Sequence, residues 1–126
     1  MQLTRDSDEN ILQVRSCEPG LIIVGESRIT SHLLLSPSRL VPEWPVNDAA
    51  GLRPEDFLKV VEMQPDLVLL GTGRHLQFPA PLVNATLLEK GIGFEVMDSK
   101  AACRTFNILA LEGRAVVAAI LQVSTK

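Results

Sequence analysis

Between Asp66 and Leu121 the chain is open to few folds, because three apolar runs there are separated by two segments of helical period. Leu67-Val68-Leu69-Leu70 is apolar without alternation. Such a run marks a strand covered on both faces, as parallel strands of α/β sheets are. Gly71-Thr72-Gly73 ends it. Phe78 to Pro81 leads into a helix over 82–90, with Gly91 as the left-handed residue past its end. Residues 93–97 read as the next strand. Asp98 or Ser99 caps a further helix that stops at Glu112-Gly113. Residues 115–123 read as the last strand. The unit predicts a right-handed parallel crossover, with 67–70 and 94–97 as adjacent strands. The short Gly113-Arg114 turn predicts a last strand antiparallel to its neighbours.

The preceding half has a different rhythm. Residues 11–15 are strand-like, Glu18-Pro19-Gly20 is a turn, and Leu21-Ile22-Ile23-Val24 is a short apolar strand. Residues 28–35 resume as a strand, with Ile29, Leu33 and Leu35 on one face. This predicts an N-terminal antiparallel β-meander. Residues 36–51 hold Pro37, Pro42 and Pro45 and read as irregular, pinned by Trp44. Arg53-Pro54-Glu55-Asp56 opens a helix, with Pro at the first turn and carboxylates opposing the dipole. Phe57, Val60 and Val61 face inward.

The 126 residues suit one α/β domain, 1–126, with a three-layer build. The central sheet is expected to be mixed and mostly parallel, with helices on both faces. Residues 1–9 are polar, bury little and are expected to be frayed. They form neither a secretion signal nor an import helix, and no apolar run reaches a membrane span, so a cytoplasmic location is expected. A net charge of −3 argues against a nucleic-acid partner. Two cysteines, Cys17 and Cys103, read as free thiols, with Cys103 a packing residue. Two histidines and no Cys-x-x-Cys leave no metal ligand set, and no cofactor is expected.

Gly71-Thr72-Gly73 lacks the third glycine of a dinucleotide loop, since that position is Leu76. The alternative is a looser anion site where two helix N-termini meet the carboxyl edge of the sheet. Its residues would be Gly71, Thr72, Gly73, Arg74, Ser99 and Arg104. The last helix carries one apolar stripe at Ala102, Phe106 and Ala110 and another at Ile108 and Leu111. Such a helix is expected to be buried twice, against the sheet and against another element or subunit. Thr105 and Asn107 are polar groups in an apolar helix, and buried ones need partners.

Several motifs together resemble a known family: Gly71-Thr72-Gly73, Glu95-Val96-Met97-Asp98-Ser99, Arg104-Thr105-Phe106-Asn107, Glu112-Gly113-Arg114 and Ala118-Ala119. The family is the Mth938-like group of small α/β domains. Its eukaryotic branch includes a mitochondrial assembly factor for respiratory complex I. Ser99 stands where Thr is usual and Phe106 where Tyr is usual. The resemblance implies a three-layer α/β fold with an added β-layer, and no catalytic residues. With no mitochondrial presequence, the chain resembles the bacterial members. A non-enzymatic interaction or assembly module is therefore expected. Its partners would be proteins, respiratory-complex subunits among them, met through Ile108 and Leu111 by a monomer or homodimer. An anion- or metabolite-binding protein is the alternative.

Overall fold

The computed structural model describes residues 10–125. The expectation for residues 1–9 lies outside them. Strands β1 (Val14–Glu18), β2 (Leu21–Val24) and β3 (Ser27–Ile29) form an antiparallel sheet in that order. A second sheet holds β4 (Leu33–Leu35), β5 (Leu40–Pro42), β6 (Leu67–Gly71), β7 (Gly93–Met97) and β8 (Val116–Ile120), in the order β5-β4-β8-β6-β7. A 3-10 turn at Pro54–Phe57 runs into α1 (Leu58–Glu62); α2 is Pro81–Glu89 and α3 is Ser99–Leu111.

The five-stranded sheet is apolar on both sides, and its alternation sorts two cores. Val116, Ala118 and Ile120 of β8 face one core, with Leu69 of β6. Val117, Ala119 and Leu121 face the other, with Val68 and Leu70. The first core is closed by the three-stranded sheet, through Ile22, Val24 and Ile29, and by α3, through Ala102, Cys103, Phe106 and Ala110. The second is closed by Trp44, Phe57 and Val60, and by Val83 and Leu87 of α2. Three layers result, as the unalternating strands require.

The expected parallel pair is present: β6 and β7 run parallel from Leu67↔Gly93 to Gly71↔Met97. The expectation for the last strand needs correction, because β8 is parallel to β6 and antiparallel only to β4. The crossover is α3 itself. Its 13 residues carry the chain roughly 20 Å back along the sheet, so Gly113-Arg114 has only to turn helix into strand. Parallel and antiparallel pairings are thus equal in number, two of each.

Residues 28–35 are not one strand. The alternation is right, since Ile29, Leu33 and Leu35 share a core. The chain breaks between them, and β3 and β4 belong to different sheets. Gln122 holds the break open, its Nε2 donating to the Ile29 and Ser31 carbonyls at 2.9 and 2.8 Å. The first strand begins at Val14 rather than Ile11. The proline-rich segment contains β5, which sits at a sheet edge where Pro42 is tolerated. Trp44 does pin that segment: its Nε1 donates to the Asp56 carbonyl at 2.9 Å, and its ring meets Phe57 edge-on.

Candidate functional site

The carboxyl ends of β6 and β7 meet the start of α3, where Asp98 is the cap, its Oδ1 accepting from the Ala101 N–H at 2.9 Å. Ser99 is fully buried. Its hydroxyl accepts from the Gly73 N–H at 2.7 Å and donates to the Leu121 carbonyl at 2.5 Å. It therefore ties the β6 loop, α3 and the end of β8 together. Gly71 lets α3 approach this closely, since a Cβ there would lie 2.9 Å from Ser99 Oγ and 3.0 Å from Ser99 Cα. Gly73 turns the loop at φ +92, a conformation that favours glycine. Thr72 is also buried, its hydroxyl donating to the His75 carbonyl at 2.6 Å.

Above these groups lies a cavity of about 220 Å³ lined by His32, Asp48, Gly73, Arg74, His75 and Gln122, among others. His32 Nδ1 accepts from the Gln122 N–H at 3.0 Å, and the ring donates to the Asn47 carbonyl. Burial pushes the His32 pKa down, which keeps the imidazole in the neutral form this pairing needs. Gln122 Oε1 is buried with no hydrogen-bond partner among the described residues. Arg74 is exposed and donates to the Ser124 carbonyl at 2.5 Å. Of the six anion-site residues, Thr72, Gly73 and Arg74 line this cavity. Gly71 and Ser99 are spent on packing and hydrogen bonds beneath it. Arg104 is not brought there.

Arg104 instead lines a second cavity, of about 260 Å³, between β1 and α3. Cys17, Glu18, Lys100, Cys103 and Asn107 line it too. Asn107 finds its partner here: its Oδ1 accepts from the Val14 N–H and its Nδ2 donates to the Val14 carbonyl, each at 2.8 Å. Cys17 is half-buried and Cys103 buried, and both are free thiols. The two thiols meet in this cavity, where each bears on the other's titration. Hydrogen bonding from Cys103, with the Lys100 charge, pulls the Cys17 pKa down against its burial and the Glu18 and Asp98 charges; the same interaction and burial push Cys103 up.

Ile108 and Leu111 lie on the outer side of α3, 59% and 55% exposed, so no other element of the described chain covers them. With Arg104 they form one stripe at i, i+4 and i+7. Leu58, Phe78, Leu82 and Leu88 are also exposed, with Leu58 lining a cavity of about 370 Å³ and Phe78 one of about 490 Å³. Among the described residues no group of three or more His, Cys, Asp or Glu could hold a metal, and no helix is long and apolar enough to cross a membrane.

The meeting of Cys17 with Cys103 and the roles of His32 and Gln122 had no signal in the sequence. Each joins distant parts of the chain. Asn107 did have one, as a carboxamide in an apolar helix that demanded a partner.

A mixed five-stranded sheet, helices on both faces and a small antiparallel β-layer define a three-layer α/β domain of the Mth938-like kind. A crystal structure of a Bordetella parapertussis protein shares this fold at a TM-score of 0.83 and 34% identity, covering 89% of this chain and 96% of that one. The solution structure of a Mth938-like domain from Bordetella pertussis matches at 0.77 and 28% identity, over 90% of this chain and 89% of its own. Through residues 14–121 the chain belongs to the family described as "Protein of unknown function (DUF498/DUF598)". The mouse protein named NADH dehydrogenase [ubiquinone] 1 alpha subcomplex assembly factor 3 is 33% identical over 104 residues, 81% of this chain. The chain spans 55% of that relative's length.

Proposed function

We propose that this chain is a non-enzymatic protein-interaction module in the assembly of a respiratory complex, with the outer stripe of α3 as its contact face. The observation that carries this reading is the exposure of Ile108 and Leu111 one turn apart, on a chain related to proteins named as complex I assembly factors. Two large apolar side chains held in water on a rigid helix fit the centre of a protein contact, and exposed Arg104, Glu112 and Arg114 supply its polar rim. The partner is a respiratory-complex subunit presenting an apolar face. On this reading the chain works in the bacterial cytoplasm as a monomer or homodimer. The test is capture of complex I subunits from the native host by the wild type and by an Ile108→Asp, Leu111→Asp variant of unchanged thermal stability. The reading requires those subunits with the wild type and their loss with the variant. Equal capture by both retires the α3 face.

A second reading, a small-anion or metabolite site at the carboxyl edge of the sheet, is favoured by one observation. Gln122 Oε1, an acceptor, is buried with no partner among the described residues, beside a cavity lined also by His32, Asp48, Arg74 and His75, so the ligand it favours is a metabolite that brings a hydrogen-bond donor along with its anionic group. Chemical-shift mapping with phosphate, nucleotides and carboxylates tests it. Shifts clustered at Gly73, Arg74 and His75 support the site, and none at millimolar ligand removes it.

A further inference from the structure

The cavity between β1 and α3 brings together the two cysteines of the chain. Their meeting is fixed by the strand's register on the helix. Asn107 grips both backbone groups of Val14, and one turn earlier on α3 Cys103 faces Cys17, three residues along β1. Val14 and Cys103 are buried in the same core, and Cys17 packs against it. The mouth of the cavity is cationic. Arg15, Lys100 and Arg104 line it against the carboxylate of Glu18, which Lys100 approaches to only 3.9 Å at an exposed position, and the Asp98 charge also reaches Cys17. The site thus combines a half-buried thiol at the opening, a buried thiol behind it and an excess of positive charge around them.

We propose that Cys17 and Cys103 form a thiol–disulfide exchange site whose substrate is a small anionic disulfide of the glutathione class. Cys17 is the attacking sulfur. Its thiolate bonds to one sulfur of the disulfide, that S–S bond breaks, and the first leaving thiolate takes a proton from solvent. Cys103 then gives its proton to solvent and its sulfur attacks Cys17 Sγ. The Cys17–Cys103 bond forms, the mixed disulfide breaks, and the second leaving thiolate takes a proton from solvent. The protein dithiol is oxidised by two electrons and the small disulfide is reduced to two thiols.

The order follows from the environments. The thiolate is the nucleophile in such exchange. The Cys103 S–H and the Lys100 charge stabilise it on Cys17, whereas Cys103 is the hydrogen-bond donor and buried. Once Cys17 is capped, Cys103 has lost the thiolate that its proton served. The carboxylates of a glutathione-type disulfide meet Arg15, Lys100 and Arg104 at the rim. The inference shares Arg104 with the α3 contact face proposed above but does not rest on that reading, since neither cysteine belongs to that face.

The test treats the reduced, folded full chain with oxidised glutathione and reads intact mass and free thiols. The wild type is expected to lose both thiols, end lighter by two hydrogens and carry no adduct. Cys103→Ser should accumulate a single glutathione on Cys17, and Cys17→Ser should take up none. Thermal melts verify that both variants fold, with Cys103→Ala as the substitute if Cys103→Ser does not. Arg104→Glu should slow oxidation by glutathione disulfide more than oxidation by the neutral bis(2-hydroxyethyl) disulfide. The proposal is overturned if the native wild type keeps both thiols while the urea-unfolded chain oxidises. It is overturned equally if the wild type stops at the glutathione adduct, or if Cys17→Ser reacts as fast as the wild type.

Discussion

The two faces of the five-stranded sheet are closed by different means. The face under α3 is held by directional polar contacts: Ser99 ties a loop to β8, and Asn107 grips Val14. The face under α1 and α2 is closed by rings. Trp44 meets Phe57 at 5.6 Å and Phe57 meets Phe94 at 6.0 Å, both edge-on, with one hydrogen bond, from Trp44, to orient them. Hydrogen bonds tolerate little displacement, whereas apolar contacts allow neighbours to slide. One layer is therefore positioned and the other is packed, and the cavities beside exposed Leu58 and Phe78 lie on the packed side.

The largest expected effect probes the apolar core of the α3 layer. Phe106→Ala should cost about 3–5 kcal/mol in chemical denaturation, because the ring is fully buried between α3 and the sheet. A loss under ~1 kcal/mol would mean that the α3 layer repacks as freely as the other. Next, Ser99→Ala should cost about 1–3 kcal/mol, since it strands the Gly73 N–H and the Leu121 carbonyl. Asn107→Ala should cost somewhat less, about 1–2 kcal/mol, since its site is only half-buried. Its signature is local: faster amide exchange at Val14 before any change in β6. Uniform acceleration across both sheets would erase the distinction between positioned and packed layers.

A pH effect comes after these. His32 has a lowered pKa in the fold, so below about 6.5 the unfolded chain binds its proton more readily than the native one does. This contribution is complete above that pH and is lost as pH falls toward the folded value. Urea midpoints should drop from pH 7.5 to 5.5, and His32→Gln should flatten the drop. The smallest effect is expected from Ile108→Asp with Leu111→Asp, within about 0.5 kcal/mol per site, because neither side chain is buried. A larger cost would place them in the fold's own packing.

What the sequence made legible tracks the range of the cause. Leu67 to Leu70 announced a doubly covered strand because coverage on both faces writes itself into every residue of the run. The direction of β8 was not legible, because it depends on where α3 delivers the chain and not on the length of the turn after it. Ile108 and Leu111 stood out as surplus apolar surface, yet only the fold shows them uncovered. Ser99 was legible as a hydroxyl at a helix start. That both its lone pair and its proton serve distant backbone groups is a fact of three elements meeting. Cys17 and Cys103 read as two inert thiols because nothing local to either one refers to the other.

The grip of Asn107 on Val14 has a consequence for solubility. A carboxamide carries the same donor and acceptor as a peptide unit, so α3 presents β1 with an imitation of one residue of a neighbouring strand. β1 borders its sheet, and Val14 turns both backbone groups away from β2 toward that imitation. The register shift between Val14 and Ser16 further kinks the border. A free, straight border of this kind can template pairing with another chain. Here the helix that fills the core also occupies the first rung on which such a stack would grow.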